Sequence, residues 1–305
     1  MIKYINFINK NKLGKINTKQ SFSNLTTLKI GGDIALLYYP DSIEHFIIFY
    51  NFYKQYKDYP LFIIGNGSNI LASSKRYEGI VVSFKKIKYK YSYVSYDDKV
   101  VVNISSGVLL MDIINYFKKI NIGGLEKLAY IPGTIGGIVK MNAGAYNDEI
   151  SNYIKTVTVL DDGVIKTIDN INYSYRSSLI KGIILEVELI LQKKNKDEID
   201  KCIKKIKESR ISKQPILQNN AGSTFKNPEN YKAWQLIDEL GLRGYSINNA
   251  IISNMHTNFL INKGNCKSDE MIDLINYIKE KVDKKYNIKL ECEWVFVNCN
   301  QENNF

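Results

Sequence analysis

Three side chains and two glycine-rich loops carry the chemistry open to this sequence. Arg176 lies in Tyr173-Ser174-Tyr175-Arg176-Ser177-Ser178, and arginine recurs only at Arg76, Arg210 and Arg243. A guanidinium among tyrosines and serines suits capture of an anion. Ser223 sits between small residues in NNAGSTFKNP, residues 219–228. Glu293 belongs to LECEWVFV, residues 290–297, where strand alternation puts Leu290, Cys292, Trp294 and Phe296 on one face and Glu291, Glu293, Val295 and Val297 on the other. Two carboxylates followed by two valines point one glutamate toward a cleft. His45 and His256 are the only histidines, so acid–base work falls to Ser, Glu, Asp, Lys or Tyr. Each candidate also has a plain structural reading: Arg176 as an ion-pair partner, Ser223 as a turn former, Glu293 as half of an exposed edge pair.

The glycine is concentrated in residues 131–147, IPGTIGGIVKMNAGAYN. Gly133, Gly136, Gly137 and Gly144 are interleaved there with Pro132, Thr134, Asn142, Ala143 and Ala145. Glycine in a helix costs about 1 kcal/mol relative to alanine, so the stretch is expected to be a loop. Its N–H groups can converge on an anion or a flat cofactor, or it is a glycine-rich turn without a ligand. A second loop, Gly65-Asn66-Gly67-Ser68-Asn69, follows a short buried strand at 61–64 and offers N–H donors and hydroxyls to a diphosphate. Neither GxGxxG with its following helix nor GxxxxGK[ST] is present. Gly31 and Gly32 interrupt the apolar segment 28–37, which marks a bulge or a close backbone approach.

The elements that must position these groups are short. A helix is expected from a cap at Asp41 or Ser42 to about Lys57, with Ile43, Phe46, Ile47, Tyr50 and Tyr53 inward and His45 exposed. Strands are expected at 80–84 and 99–104, and a helix at 109–120 with Leu110, Ile113, Ile114 and Phe117 on its apolar face. A hairpin at 154–160 and 164–168 turns over Asp161-Asp162-Gly163, and a strand covers 183–191. A helix from 196 to about 209 leads to a second α/β unit. That unit holds a helix at 233–240, a strand at 258–262, a helix capped by Ser268 and the final strand 290–297, followed by a frayed tail at 301–305. This is an α+β pattern, not a regular alternation of strand and helix.

Composition narrows the partners. At 305 residues with 45% hydrophobic and 12% aromatic content, the chain can bury a core of two domains. The four cysteines are scattered without a CxxC pair, so neither zinc nor a disulfide framework is expected. The net charge of +11 suggests anionic ligands, yet spread lysines and scarce arginine argue against nucleic acid. No apolar run reaches a membrane span, and MIKYINFINKNKLGK does not read as a signal peptide, so a cytoplasmic location is expected.

In order along the chain, LKIGG, IGNGSNIL, IPGTIGGIVKMNAGAY, YSYR, AGSTFKNP and LECEWVF closely resemble the UDP-N-acetylenolpyruvoylglucosamine reductase (MurB) family of peptidoglycan precursor synthesis. The resemblance covers about residues 25–297 and implies two lobes clasping FAD, of the PCMH/vanillyl-alcohol-oxidase type, followed by a smaller α/β substrate-binding domain. The implied boundaries are 1–195 for FAD, with lobes at about 1–85 and 86–195, and 196–300 for substrate. The Gly31-Gly32 segment, the Gly65 to Leu71 loop (Gly65 to Asn69 as contacts) and the Ile131 to Tyr146 loop (contacts among Pro132 to Ala145) match its FAD-binding segments. Arg176, Ser223 and Glu293 fall on catalytic positions. Tyr175, Lys213, Lys226 and Asn227 fall on UDP-sugar positions. No metal is implied, nor a protein partner. Length and the run from KQP into NNAGS are similar to the shorter, type II branch.

The sequence departs from the family at Asp33, where proline is usual, at Asn147, where glycine is usual, and at Cys292 and Trp294, where proline and arginine are common. Asparagine tolerates positive φ, so the loop at Asn147 is expected to survive. The implied chemistry has NADPH reducing FAD, hydride passing to the enolpyruvyl C3, Arg176 and Glu293 stabilising charge at C2 and the carboxylate, and Ser223 protonating C2. The rival classes are another oxidase or dehydrogenase on the same flavin fold and a non-catalytic nucleotide-sugar binder.

Overall fold

The structure, a computed structural model, describes residues 1–87 and 91–299. The expected tail at 301–305 lies outside the described residues. The chain forms two compact units from interleaved segments. Met1–Thr18, Leu36–Asn66 and Gly79–Glu208 make the first; Lys19–Ala35, Gly67–Glu78 and Ser209–Phe305 make the second.

Two cores support the first unit. One gathers Tyr4, Tyr38, Phe46, Phe49, Tyr53, Ile80 and Val82. Its helix Ile43–Lys54 starts at Ser42, whose hydroxyl accepts the His45 N–H at 3.2 Å. His45 is half-buried, not exposed, because the helix also buries Phe49 and the ring lies beside that face. Its strands run in the order Gly14–Asn17, Asp33–Pro40, Tyr77–Val82, Leu61–Ile63, the last pair parallel. The other core lies under an antiparallel sheet ordered Val164–Ile168, Ile154–Asp161, Ile183–Lys193, Lys99–Ser105, Tyr91–Tyr96. The expected hairpin closes on Asp162 and Gly163, with φ of 45° and 83°, the type I′ geometry that a Gly-containing turn permits. Helix Leu110–Lys119 buries Leu110, Ile113, Ile114 and Phe117, as their spacing requires. Helix Lys196–Lys213 runs past the expected end near 209, since Pro215 restricts only the residue before it.

The second unit packs helix Ser268–Tyr286 through Met271, Leu274, Ile275, Ile278 and Val282, with the antiparallel strands Ser246–Ile247, Ala250–Ile252 and Leu260–Asn262 in the same core. Ser268 is the first helical residue and Lys267 the N-cap. The Ser268 hydroxyl is taken by the Ser74 N–H at 3.0 Å, so it is not free to cap its own helix.

Two glycine and strand expectations change, and a third is decided between its alternatives. Residues 135–140 form the helix Ile135–Lys140, although Gly136 and Gly137 lie inside it. Burial of Ile135, Ile138 and Val139 offsets the glycine penalty, and a Cβ on Gly136 would stand 2.8 Å from Ser106 Cβ, so the glycine is what lets the helix sit this close. The Gly31-Gly32 pair precedes the strand Asp33–Pro40 instead of bulging it. Close approach is its role: a Cβ on Gly31 would lie 2.4 Å from Phe22 Cβ, and one on Gly32 would lie 2.3 Å from the Lys75 carbonyl oxygen. The final strand is only Val295–Val297, paired in parallel with Ile70–Ala72. Residues 291–293 are extended but bridge Phe225 through Cys292, so the segment changes partner midway.

Candidate functional site

In the first unit the two glycine-rich loops meet. The strand Leu61–Ile63 runs into Gly65, whose missing Cβ would lie 2.5 Å from Thr134 Oγ1. Asn66 donates from Nδ2 to the Pro132 carbonyl at 3.1 Å and accepts from Lys85 Nζ at 2.8 Å. The amides that open the glycine helix are not offered to an anion. Ile135 N–H donates to the Val108 carbonyl at 2.8 Å and Gly136 N–H to the Ser106 carbonyl at 2.9 Å. Gly136 and Gly133 therefore serve close packing, the latter against Ile138, 2.7 Å from where its Cβ would be. Gly137 is different, because a Cβ there would meet only Thr134 Oγ1 at 3.6 Å.

The same stretch fastens the Arg176 turn. Asn142 is fully buried, with φ of 41°, and its Nδ2 donates to the Ser174 carbonyl at 3.1 Å. Ser178 Oγ donates to the Lys140 carbonyl at 2.9 Å. Tyr173–Ser174 and Ser177–Ser178 thus form a hairpin pinned from both strands, with Tyr175-Arg176 as its tip. Arg176 is half-buried with φ of 57°, its guanidinium 5.1 Å from the centre of the Tyr175 ring. A positive φ on arginine stores of order 1 kcal/mol and is tolerated where surroundings impose it. Gly144–Ala145 pairs with Asp148–Glu149 over Tyr146 and Asn147, whose φ of 55° and 58° show asparagine filling the usual glycine position.

The second unit brings Ser223 and Glu293 onto adjoining extended segments. Glu293 N–H donates to the Thr224 carbonyl at 2.8 Å, and Lys226 N–H to the Glu291 carbonyl at 2.9 Å. Both Ser223 and Glu293 are half-buried, and the hydroxyl of Thr224 is enclosed without a hydrogen-bond partner among the described residues. Asn258, which sequence reasoning placed in a strand and passed over, braces this segment. Its carbonyl accepts the Thr224 N–H at 2.8 Å, its Oδ1 accepts the Phe225 N–H at 2.9 Å, and its Nδ2 donates to the Phe225 carbonyl at 2.8 Å. The available signal was a polar residue opening an apolar run. His256 Nδ1 accepts the Asn258 N–H at 3.3 Å, and burial lowers its pKa.

Other expected residues have structural partners here. Gly67, with φ of 66°, presses on the Leu25 carbonyl, 2.2 Å from where a Cβ would lie. Asn69 donates from its side chain to the Glu293 carbonyl. Lys226 pairs with exposed Glu291 at 3.3 Å, Asn227 Oδ1 accepts the Ala233 N–H at 3.1 Å, and Lys213 is the exposed last residue of its helix. Burial disfavours the thiolate of three cysteines, pushing Cys266 up to about 12 and Cys299 up to about 11 and raising Cys292. No group of three potential metal ligands occurs among the described residues.

The first unit fits a flavin nucleotide. It combines loops whose glycines permit close approach, an ammonium at their junction, and buried hydroxyls of Ser105 and Ser106 that lack a hydrogen-bond partner among the described residues. Residues 34–169 match the model of the FAD binding domain, which sets the chain in the class of FAD-binding proteins. Residues 214–297 match the C-terminal domain of UDP-N-acetylenolpyruvoylglucosamine reductase. The Clostridium tetani protein of that name is 37% identical over 92% of this chain and 92% of its own length. The Orientia tsutsugamushi (strain Ikeda) protein is 35% identical over 92% and 93%. The crystal structure of the reductase (MurB) from Thermus caldophilus superposes with a TM-score of 0.76 at 28% identity, over 93% of this chain and 99% of that one. The chain belongs to the UDP-N-acetylenolpyruvoylglucosamine reductase family.

Proposed function

We propose that this chain catalyses the NADPH-dependent reduction of UDP-N-acetylenolpyruvoylglucosamine to UDP-N-acetylmuramate in peptidoglycan synthesis, with FAD as its cofactor. The observation that supports the reading is that the segments carrying Ser223 and Glu293 adjoin, Glu293 N–H donating to the carbonyl of Thr224, the residue after Ser223, in a family member. FAD, when bound, would supply the hydride-transfer chemistry that links NADPH to C3 of the enolpyruvyl group. The residues of the chain manage the charge that follows. As the C2–C3 double bond accepts hydride at C3, its electron pair moves to C2 and the attached carboxylate. Arg176 and a protonated Glu293 stabilise that charge, and Ser223 Oγ–H gives C2 its proton. A carbanion is basic enough to take a hydroxyl proton, so no histidine is required.

Gly31, Gly32, residues 65–69, Pro132, Gly133, Thr134, Gly136, Gly137, Asn142, Ala143, Gly144 and Ala145 are the cofactor segments in this reading, Gly133 and Gly136 through the close packing they permit. Tyr175, Lys213, Lys226 and Asn227 hold the UDP-sugar, with residues 1–195 serving FAD and 196–300 serving substrate. The Lys226–Glu291 pair is exposed and weak enough to exchange for a phosphate. The acting partners are small molecules, without nucleic acid or an obligate protein. No described helix is long and apolar enough to cross a membrane, and the proposed location is the cytoplasm. Incubation with NADPH and the enolpyruvyl sugar tests the reaction: a product two mass units heavier is expected, in step with NADPH oxidation. NADPH oxidation without that product contradicts it.

A further inference from the structure

We propose that Lys85 is the cationic contact of the FAD diphosphate in the first unit, an inference that rests on the flavin reading above. Two pieces of chain meet at its ammonium, and a third is tied to the same asparagine. The turn Phe84–Lys86 carries it, Asn66 Oδ1 accepts from it at 2.8 Å, and the Asn66 Nδ2 donates in turn to the Pro132 carbonyl at 3.1 Å. Lys85 therefore stands where the Gly65 loop abuts Thr134. An ammonium has three donors, and a neutral amide oxygen uses one of them.

Two other described lysines are committed elsewhere. Lys140, inside the glycine stretch, donates to the Ile180 carbonyl at 2.8 Å, and Lys86 lies 4.2 Å from the centre of the Tyr39 ring. Two amides at the start of the glycine helix are bonded to Val108 and Ser106, so backbone donors alone offer less than the sequence suggests. Lys85 makes no ion pair among the described residues. It is exposed as a residue, and partial desolvation lowers its pKa. A diphosphate bearing two negative charges would take the ammonium's remaining donors in charge-assisted hydrogen bonds.

Apoprotein titrated with FAD, followed by flavin fluorescence at low and high salt, tests this. Wild-type affinity is expected to fall with salt. Lys85→Met is expected to bind FAD about tenfold more weakly at low salt and to show a flatter salt dependence, with riboflavin binding and the unfolding temperature of the apoprotein unchanged. Lys86→Met, which removes the same charge one residue away, is expected to match wild type, and Lys85→Arg to keep most of the affinity. Equal FAD affinity in Lys85→Met and wild type overturns the inference, as does an equal loss in Lys86→Met or a matching loss for riboflavin. Wild-type apoprotein that binds no FAD overturns the flavin reading itself, and this contact with it.

Discussion

Asn69 donates from its side-chain amide to the main-chain carbonyl of Glu293 at 2.9 Å, and its own carbonyl accepts the Val295 N–H at 2.9 Å. A loop expected to touch the flavin thus sets the backbone of a residue expected to stabilise the reduced substrate. Asn69→Leu leaves the Glu293 carbonyl without its donor and should cost about 1 kcal/mol of stability in denaturant titration. Its effect on turnover should fall on reduction of the sugar, not on reduction of the flavin by NADPH. Equal slowing of both steps in stopped-flow absorbance contradicts the positional role.

Neighbouring glycines separate packing from ligand approach. Gly136→Ala drives a methyl against Ser106 and should destabilise the apoprotein by about 1–3 kcal/mol. Gly137→Ala meets only Thr134 Oγ1, at 3.6 Å, and should leave apoprotein stability unchanged or raise it by up to about 1 kcal/mol. If Gly137 faces the cofactor, its alanine variant will still lose FAD affinity. Chemical unfolding and FAD titration of both variants measure the contrast, and similar stability losses in the two would refute it.

Arg176 holds a positive φ at the tip of a pinned hairpin. Arg176→Gly relieves that strain while loosening the unfolded chain, so its stability should stay within about 1 kcal/mol of wild type. Sugar reduction should fall by about a hundredfold, the scale of losing one charge-stabilising donor. Arg176→Lys should recover part of the rate. A glycine variant with wild-type turnover would reduce Arg176 to a structural role.

Burial lowers the His256 pKa, so the folded state favours the neutral ring whose Nδ1 receives the Asn258 N–H. Below the ordinary value of 6.5 the unfolded chain binds the proton first. Stability is therefore full above that value and declines as pH falls toward the folded pKa. His256→Asn keeps an acceptor without a titrating group and should flatten the decline between about pH 7 and 5 in thermal unfolding. An unchanged slope would assign the decline to other groups.

The sequence reveals the order of elements and the identity of the motifs far better than the contacts among them. The spacing of Leu110, Ile113, Ile114 and Phe117 marks a buried helix face because burial follows the 3.6-residue period. Asp162-Gly163 marks a turn because few residues accept positive φ. The helix through Gly136 and Gly137 is hidden, since local propensity opposes it and only the contact with Ser106 reveals why glycine is needed. The split strand at 290–297 is hidden for the same reason: a change of partner from Thr224 to Asn69 leaves no mark on alternation. Lys85 and Asn258 escape notice because their contacts are with residues 19 and 33 positions away. Ser223 and Glu293 stand out by their loop and strand context, the family motif implies their roles, and the structure adds that Glu293 pairs with Thr224, the residue after Ser223.

The central claim is that reducing equivalents pass from NADPH through FAD to the enolpyruvyl sugar, with Ser223 completing the second step. Anaerobic visible spectroscopy of wild type and Ser223→Ala follows both halves in one cuvette. Wild type should be yellow, bleach on adding NADPH and regain colour on adding the enolpyruvyl sugar. The alanine variant should bleach at a near-normal rate and stay bleached. A colourless wild-type protein, bleaching that the sugar fails to reverse, or equal slowing of both halves in the variant would contradict the account.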